Sequence, residues 1–205
     1  MTGVLGVLIA GGRGRRLSGS TPKALVRLGG LTLLERAWGV LEGVCAEGVV
    51  VAPASLALPV PAARRVTDGP GAEGPLAGLV AGLAARSFER AVVLGVDFPL
   101  MRPAALAALR DQLAGEPALL PAPGGIPQPL AAVYGPGAAG ALARALARGE
   151  RALTVAALAL RPRLLDDSAL ARLPGGLENF FNLNTPEDLA EAARRLGAAA
   201  SRTQA

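Results

Sequence analysis

The sequence predicts an α/β fold: a single three-layer domain in which a mostly parallel sheet carries helices on both faces. Two observations predict it. Apolar runs of strand length alternate along the chain with helical patterns, and such an alternation is typical of a parallel sheet covered on both sides. With 205 residues, of which 51% are hydrophobic and 18% charged, the chain can bury a substantial core within one domain.

The first half of the chain holds the clearest elements. The predicted strands are 3–10, 48–52, 63–67 and 90–96, and the predicted helices are 31–44, 74–86 and 103–115. The segment 90–96, RAVVLGV, has the strongest strand pattern because it is apolar throughout after its first residue. Glycines weaken the helical pattern of 74–86, whereas Pro103 suits the first position of a helix.

The second half has weaker patterns. Strands are predicted at 117–122, 130–135 and 163–167, and an alanine-rich helix at 137–150. Thr185 is expected to cap the last helix, with Pro186 at its first position and Asp188 completing a variant of the capping box. We expect the domain to cover residues 1–197 and the tail 198–205 to be frayed.

Composition excludes several kinds of site. The chain has no histidine, which excludes a Ser-His-Asp triad and the usual imidazole metal sites. Its one cysteine, Cys45, cannot form an internal disulfide. Because Cys45 shares a helical spacing with Trp38 and Leu41, we expect it to be a core residue and not a nucleophile.

Composition also limits the partners and the location. The net charge of +5 is modest and aromatic residues make up only 3%, so we expect no nucleic acid partner. No basic region precedes the first apolar stretch, and proline and charged residues interrupt every long apolar run. We therefore expect neither a secretory signal nor a membrane segment, and a cytoplasmic location.

Three loops are candidates for ligand binding, because open α/β sheets bind ligands at the carboxyl ends of their strands. They are 11–23, 68–75 and 97–101. The first loop holds the one tight basic cluster of the chain, formed by Arg13, Arg15, Arg16 and Lys23. Four cations so close together repel one another unless an anion joins them, so we expect a small anionic ligand.

Neither of two common phosphate motifs fits this loop. Gly14 and Gly19 have the spacing of a P-loop, but Ser20 stands where the lysine is required. Gly12 and Gly14 begin a dinucleotide fingerprint, but Leu17 occupies the position of its third glycine.

The loop LIAGGRGRRLSGSTPKAL resembles the signature loop of nucleotidyltransferases that activate phosphorylated metabolites with an NTP. Within that superfamily, four segments look like the molybdenum cofactor guanylyltransferases: GPLAGLVAGL, VDFPL, PQPLAAVY and FFNLNTPEDL. The resemblance spans nearly the whole chain and implies a Rossmann-like nucleotidyltransferase fold. It also implies transfer of GMP from GTP to molybdopterin or its molybdenum-bound form, with release of pyrophosphate.

The resemblance further implies roles for single residues. The nucleotide-binding residues would be Ile9, Ala10, Gly11, Gly12, Lys23, Asp68 and Asp97. Asp97 would bind Mg²⁺, while Asn182 and Asn184 would face the pterin. The residues also have other interpretations: Asp97 and Asp68 could shape turns, and the two asparagines could brace the last helix.

The reaction suits the composition. A phosphate nucleophile is already an anion, so no histidine base is needed; the chemistry requires in-line positioning and charge neutralisation. We expect Lys23, Arg16 and Asp97 to be the catalytic residues, with Lys23 exposed on its loop. Mg²⁺ commonly takes one or two carboxylates and completes its shell with phosphates and water.

Three departures from the family bear on the choice of base. Pro22 stands before the loop lysine where the family usually has Asp, the stretch from Gly12 to Lys23 is longer than usual, and Ala52-Pro53 replaces a polar residue after the second strand. The alternatives are a cytidylyltransferase acting on the same pterin and a sugar-phosphate nucleotidyltransferase. A non-catalytic nucleotide-binding module is the alternative from a different class.

Overall fold

The computed structural model describes residues 3–11, 17, 21–59, 61, 64–67 and 74–203. The strands are β1 (Val4–Ile9), β2 (Arg27–Leu28), β3 (Leu31–Thr32), β4 (Glu47–Val51), β5 (Arg65–Val66), β6 (Arg90–Gly95), β7 (Ala118–Pro121), β8 (Ala131–Tyr134) and β9 (Arg163–Leu165). The α-helices are α1 (Leu33–Glu42), α2 (Pro75–Ala84), α3 (Pro103–Gln112), α4 (Pro136–Ala147), α5 (Leu153–Ala159), α6 (Asp167–Leu170) and α7 (Pro186–Thr203). Short 3₁₀ helices cover Lys23–Leu25, Pro123–Gly125 and Gly176–Phe180.

Seven strands form the central sheet in the order β5-β4-β1-β6-β8-β7-β9. Parallel pairs join β5 to β4, β4 to β1, β1 to β6, and β7 to β9. Within this sheet β8 alone runs antiparallel to both of its neighbours. The prediction of a mostly parallel sheet is confirmed, and β2 and β3 form a separate two-stranded hairpin.

Helices cover both faces of the sheet, so the three-layer prediction is also confirmed. In β1, Leu5 and Val7 pack into the core that contains residues of α2, α4 and α5. Leu8, with the opposite orientation, packs into the core that contains residues of α1 and α3. This alternation follows from the two-residue period of a strand.

The predicted elements are present, most of them with shorter bounds, and several short elements were not predicted. The first helix begins later than expected because Leu31–Thr32 pairs with β2. Thr32 then forms a complete capping box with Glu35. The hairpin strands are too short to show a periodic pattern, and α5 lacks a side-chain cap at its amino end.

The predicted cap of the last helix is confirmed. The Asp188 backbone N–H donates to Thr185 Oγ1 at 3.2 Å, and Asp188 Oδ2 accepts from the Thr185 N–H at 2.8 Å. The helix runs from Pro186 to Thr203 and so extends beyond Gly197; fraying of the tail stays a prediction.

Cys45 packs against the core on the α1 side, as predicted. Burial raises the pKa of its thiol to about 12, so the thiolate is scarce at neutral pH. In the part of the chain that the structure describes, no helix combines the length and apolar character needed to cross a bilayer.

The contact between α2 and the sheet generates a stability prediction. A Cβ added at Gly82 would overlap Val7 and lie 2.9 Å from Val51 Cγ2. Gly82→Ala should therefore lower the free energy of unfolding by about 1–3 kcal/mol through overpacking, measured by urea denaturation. Gly39→Ala is the matched control: Gly39 is exposed in α1, and beyond its chain neighbours and its own helix backbone no atom lies within 4 Å of the new Cβ. This variant should gain up to about 1 kcal/mol in the free energy of unfolding. A Gly82→Ala protein as stable as the parent would contradict this account of the packing.

Candidate functional site

The carboxyl ends of β1, β4 and β6 meet at one edge of the sheet. The Ala10 N–H donates to Val51 O at 2.8 Å, and the Val96 N–H donates to Ile9 O at 3.2 Å. The Ala10 N–H is thus used within the sheet.

The loop after β4 lies against this end of β1. A Cβ added at Gly11 would lie 3.2 Å from Pro53 Cδ, so only a small residue fits there easily. The Arg65 guanidinium donates to the carbonyl oxygens of Pro53 at 3.0 Å and of Leu56. Arg65 was not among the predicted site residues, and it holds the loop that follows Ala52-Pro53.

Asp97 lies two residues beyond the end of β6, and its side chain folds back over the strand end. A Cβ added at Gly95 would overlap Asp97 Oδ1, so the glycine makes room for the carboxylate. The Asp97 carbonyl accepts a 2.9 Å hydrogen bond from the Leu183 N–H. The segment that precedes the last helix is thereby joined to the central sheet.

Lys23 is buried, and the expectation of an exposed loop lysine is wrong. The residue is 7% exposed and begins a short 3₁₀ helix. Its Nζ donates to Asn184 Oδ1 at 2.9 Å and lies 4.0 Å from Asp97 Oδ2. Distant parts of the chain therefore place an ammonium group beside a carboxylate.

The two asparagines complete a ring of polar side chains with Lys23 and Asp97. Asn184 Nδ2 donates to Asn182 Oδ1 at 2.8 Å, and the Asn182 side chain is hydrogen-bonded to the Asp97 carboxylate. The structure thus brings together the four predicted residues Lys23, Asp97, Asn182 and Asn184, which we call the polar ring.

Burial controls the charge of Asp97. Desolvation raises the pKa of its carboxyl above the ordinary value, while the Lys23 charge and hydrogen bonds to its own backbone N–H and to Asn182 act in the opposite direction. The effect of burial is the larger one, because the Lys23 charge and the hydrogen bonds do not fully replace the lost hydration of the carboxylate. A divalent cation would supply the missing positive charge, so the residues fit such an ion.

Gly12, Arg16 and Asp68 lie outside the described residues, and so do Arg13 and Arg15. Within the described ranges, no three acidic or cysteine side chains cluster closely enough to hold a metal. A cation at Asp97 would therefore complete its shell with ligand oxygens and water, as Mg²⁺ commonly does.

Two open cavities lie away from the polar ring. One, of about 500 Å³, lies beside the amino ends of β1 and β4 and is lined by Trp38 and Arg64. The other, of about 480 Å³, lies between α1 and the residues around Met101. Neither is lined by Lys23 or Asp97, so converging charged groups at the strand ends, and not cavity volume, define the candidate site.

One signal in the sequence points to Lys23 without any structure. It is the only lysine of the chain, while the remaining basic residues are arginines. Lysine carries a compact ammonium, whereas arginine carries a planar guanidinium with five N–H donors. A position that keeps lysine in so arginine-rich a chain favours a site that needs the smaller group.

A family model described as a MobA-like NTP transferase domain matches residues 6–161. The chain belongs to this family. It is 39% identical over 199 residues to a probable molybdenum cofactor guanylyltransferase from Chloroflexus aggregans, an alignment that covers 94% of each protein. It is 30% identical to the molybdenum cofactor guanylyltransferase from Desulfosudis oleivorans, over 96% of this chain and 98% of that protein.

Solved structures agree with membership in the MobA-like family. The crystal structure of molybdopterin-guanine dinucleotide biosynthesis protein A from Archaeoglobus fulgidus matches with a TM-score of 0.78 at 29% identity, covering 95% of this chain and 99% of that one. A nucleotidyl transferase from Methanothermobacter thermautotroptrophicus matches with a TM-score of 0.74 at 19% identity, over 97% of this chain and 100% of that one. The predicted nucleotidyltransferase fold is confirmed.

The burial of Lys23 changes the expected cost of removing it. Lys23→Ala removes the ammonium that lies 4.0 Å from Asp97 Oδ2; the Asp97 side chain is 23% exposed. We expect a loss of about 1–3 kcal/mol in the free energy of unfolding, measured by urea denaturation at neutral pH. The exposed Arg148, in the control variant Arg148→Ala, should change stability by less than about 0.5 kcal/mol. Equal stability of Lys23→Ala and the parent would mean that the ammonium contributes nothing to the folded state.

Proposed function

We propose that this chain is a molybdenum cofactor guanylyltransferase, which transfers GMP from GTP to the phosphate of molybdopterin and releases pyrophosphate. The observation that carries the proposal is the Lys23–Asp97 pair at the carboxyl edge of the sheet, in a chain with similarity over nearly its full length to guanylyltransferases. The pair supports the chemistry proposed for the site, and the names of the relatives support the choice of substrates.

The proposed reaction needs little from the protein beyond placement and charge. A phosphate oxygen of the pterin forms a bond to the α-phosphorus of GTP, and the bond from that phosphorus to the bridging oxygen of pyrophosphate breaks. The nucleophile carries a negative charge already, so no proton has to be removed from it. A site without histidine can therefore perform this reaction.

Lys23 supplies positive charge to the triphosphate. Its Nζ is held by the Asn184 amide oxygen and lies beside, but not in hydrogen-bonding contact with, Asp97 Oδ2. An ammonium has three donors, and a buried cation acts on phosphate charge more strongly than one in water. We therefore assign Lys23 to stabilisation of the charge that develops on the phosphates.

Asp97 is the residue that would hold Mg²⁺. When bound, the ion neutralises phosphate charge and polarises the phosphorus–oxygen bonds. The protein itself keeps the Asp97 carboxylate in place, through the room left by Gly95 and the hydrogen bond from Asn182.

Base preference is tested by calorimetric titration with GTP and CTP in the presence of Mg²⁺. We expect GTP to bind at least about tenfold more tightly, the factor that one additional hydrogen bond to the base provides. CTP binding as tight as GTP binding would instead favour a cytidylyltransferase acting on the same pterin. Tight GTP binding without pyrophosphate release in the presence of molybdopterin would favour a non-catalytic module.

Metal dependence tests Asp97. Asp97→Asn keeps the size of the side chain but removes the charge that would hold the ion, so turnover should fall by about a hundredfold or more. Excess Mg²⁺ or Mn²⁺ should restore part of it, measured as pyrophosphate release against metal concentration. The control is Asp111→Asn, whose exposed carboxylate pairs with Arg110 on α3, and its metal dependence should match that of the parent. An unchanged metal dependence in Asp97→Asn would show that the carboxylate does not bind the ion.

A further inference from the structure

Asp188, in the first turn of α7, binds more of the backbone than a helix cap requires. Its Oδ2 accepts hydrogen bonds from the N–H of Thr185 and from the N–H of Asn184, both at 2.8 Å. The bond to Thr185 belongs to the capping box. The bond to Asn184 involves the residue before Thr185, in the segment that carries the two asparagines of the polar ring.

The second bond fixes the residue that contacts Lys23. An ammonium only donates, so the Asn184 amide oxygen must face Lys23 and the amide nitrogen must point elsewhere. That nitrogen donates to Asn182 Oδ1 at 2.8 Å. With the Asn184 backbone held by Asp188 and its side chain held by Asn182, the oxygen is directed at Lys23.

The electrostatics support the same arrangement. The backbone N–H of Asn184 is the largest cause of the lowered pKa of Asp188, and the charge of Lys23 also contributes. The carboxylate is therefore ionised at neutral pH and close enough to Lys23 to sense its charge.

We propose that Asp188 is a positioning residue for the reaction: its carboxylate holds the Asn184 backbone so that the Asn184 amide oxygen retains the Lys23 ammonium beside Asp97. The proposal rests on the proposed function for its catalytic consequence. Its geometric part concerns only the placement of Lys23, which can be measured without substrate.

A capping role alone would explain half of these contacts, so the control must weaken the cap and leave Asn184 in place. Thr185→Ala does this: it removes the hydroxyl that accepts from the Asp188 N–H, while both bonds to Asp188 Oδ2 remain possible. Asp188→Ala removes both of them. Asp188→Glu is the conservative variant, because glutamate at this position also completes a capping box.

Amine labelling tests the placement of Lys23 directly. Since Lys23 is the only lysine, acetylation by an N-hydroxysuccinimide ester, followed by mass spectrometry of its peptide, reports on this residue alone. Release from Asn184 should speed acetylation in Asp188→Ala by about fivefold, the factor that corresponds to one hydrogen bond of ordinary strength. Thr185→Ala and Asp188→Glu should be labelled at the parental rate. Equal labelling of Asp188→Ala and the parent would overturn the proposal.

A double-mutant cycle tests the catalytic consequence. Asp188→Ala should lower kcat by about tenfold to a hundredfold, because small misplacements of a catalytic group cost this much. In a Lys23→Ala background the same change should cost less than about twofold, since Asp188 acts through Lys23. Thr185→Ala should lower the melting temperature but keep the parental kcat. If Asp188→Ala does not fold, Asp188→Asn replaces it in both assays; its amide oxygen can still accept the two bonds but without the charge that strengthens them, so a smaller change in the same direction is expected.

The outcomes separate this inference from the proposed function. A parent that releases no pyrophosphate from GTP and molybdopterin would overturn the proposed function, and with it the catalytic part of the inference. The inference alone would be overturned if the parent is active and Lys23→Ala impairs it, but Asp188→Ala lowers kcat by the same factor in the parental and the Lys23→Ala backgrounds. Similar kcat values for Asp188→Ala and Thr185→Ala would show that Asp188 acts only as a helix cap, which would overturn the inference.

Discussion

The hydrogen bond from the Leu183 N–H to the Asp97 carbonyl, 2.9 Å long, is the contact on which the site depends. It joins the segment before the last helix to the end of a central strand. The flanking asparagines then reach Asp97 on one side and Lys23 on the other. Without this connection the Lys23 ammonium would lose its amide acceptor, which is costly for a residue that is 7% exposed.

The polar ring keeps a cation and a carboxylate near each other without joining them in a tight ion pair. The Lys23 Nζ lies 4.0 Å from Asp97 Oδ2, longer than a hydrogen bond, and bonds to a neutral amide at 2.9 Å instead. A bidentate ion pair would satisfy both charges internally. The proposed function requires each charge to take a further partner, an anion for Lys23 and a cation for Asp97, and a loose pair is compatible with that requirement. The raised pKa of Asp97 is the electrostatic sign that its charge is not yet fully compensated.

The size of the charged groups also matters. Positive charge in this chain is carried by arginine everywhere except at Lys23. A guanidinium is planar and has five N–H donors to satisfy. Lys23 is buried, with Asn184 and Asp97 beside its ammonium. A compact ammonium has fewer N–H donors to satisfy beside these partners.

Local sequence patterns determined the alternation of strands and helices, because buried parallel strands leave continuous apolar runs such as 90–96. They also determined the cap at Thr185, since its partner Asp188 is three residues away. The hairpin β2–β3 and the helix α5 escaped prediction because such short elements show no period.

For the candidate site, too, the sequence determined some features and only the tertiary structure decided the others. The sequence alone singled out Lys23, Asp97, Asn182 and Asn184, through the loop and the NLN segment that resemble a family. Only the tertiary structure decided that Lys23 is buried and that Asn184 is its acceptor. It also showed that Asp188 holds the backbone of Asn184. Contacts between such distant parts of a chain depend on where the last helix docks against the sheet, and no local pattern specifies that docking.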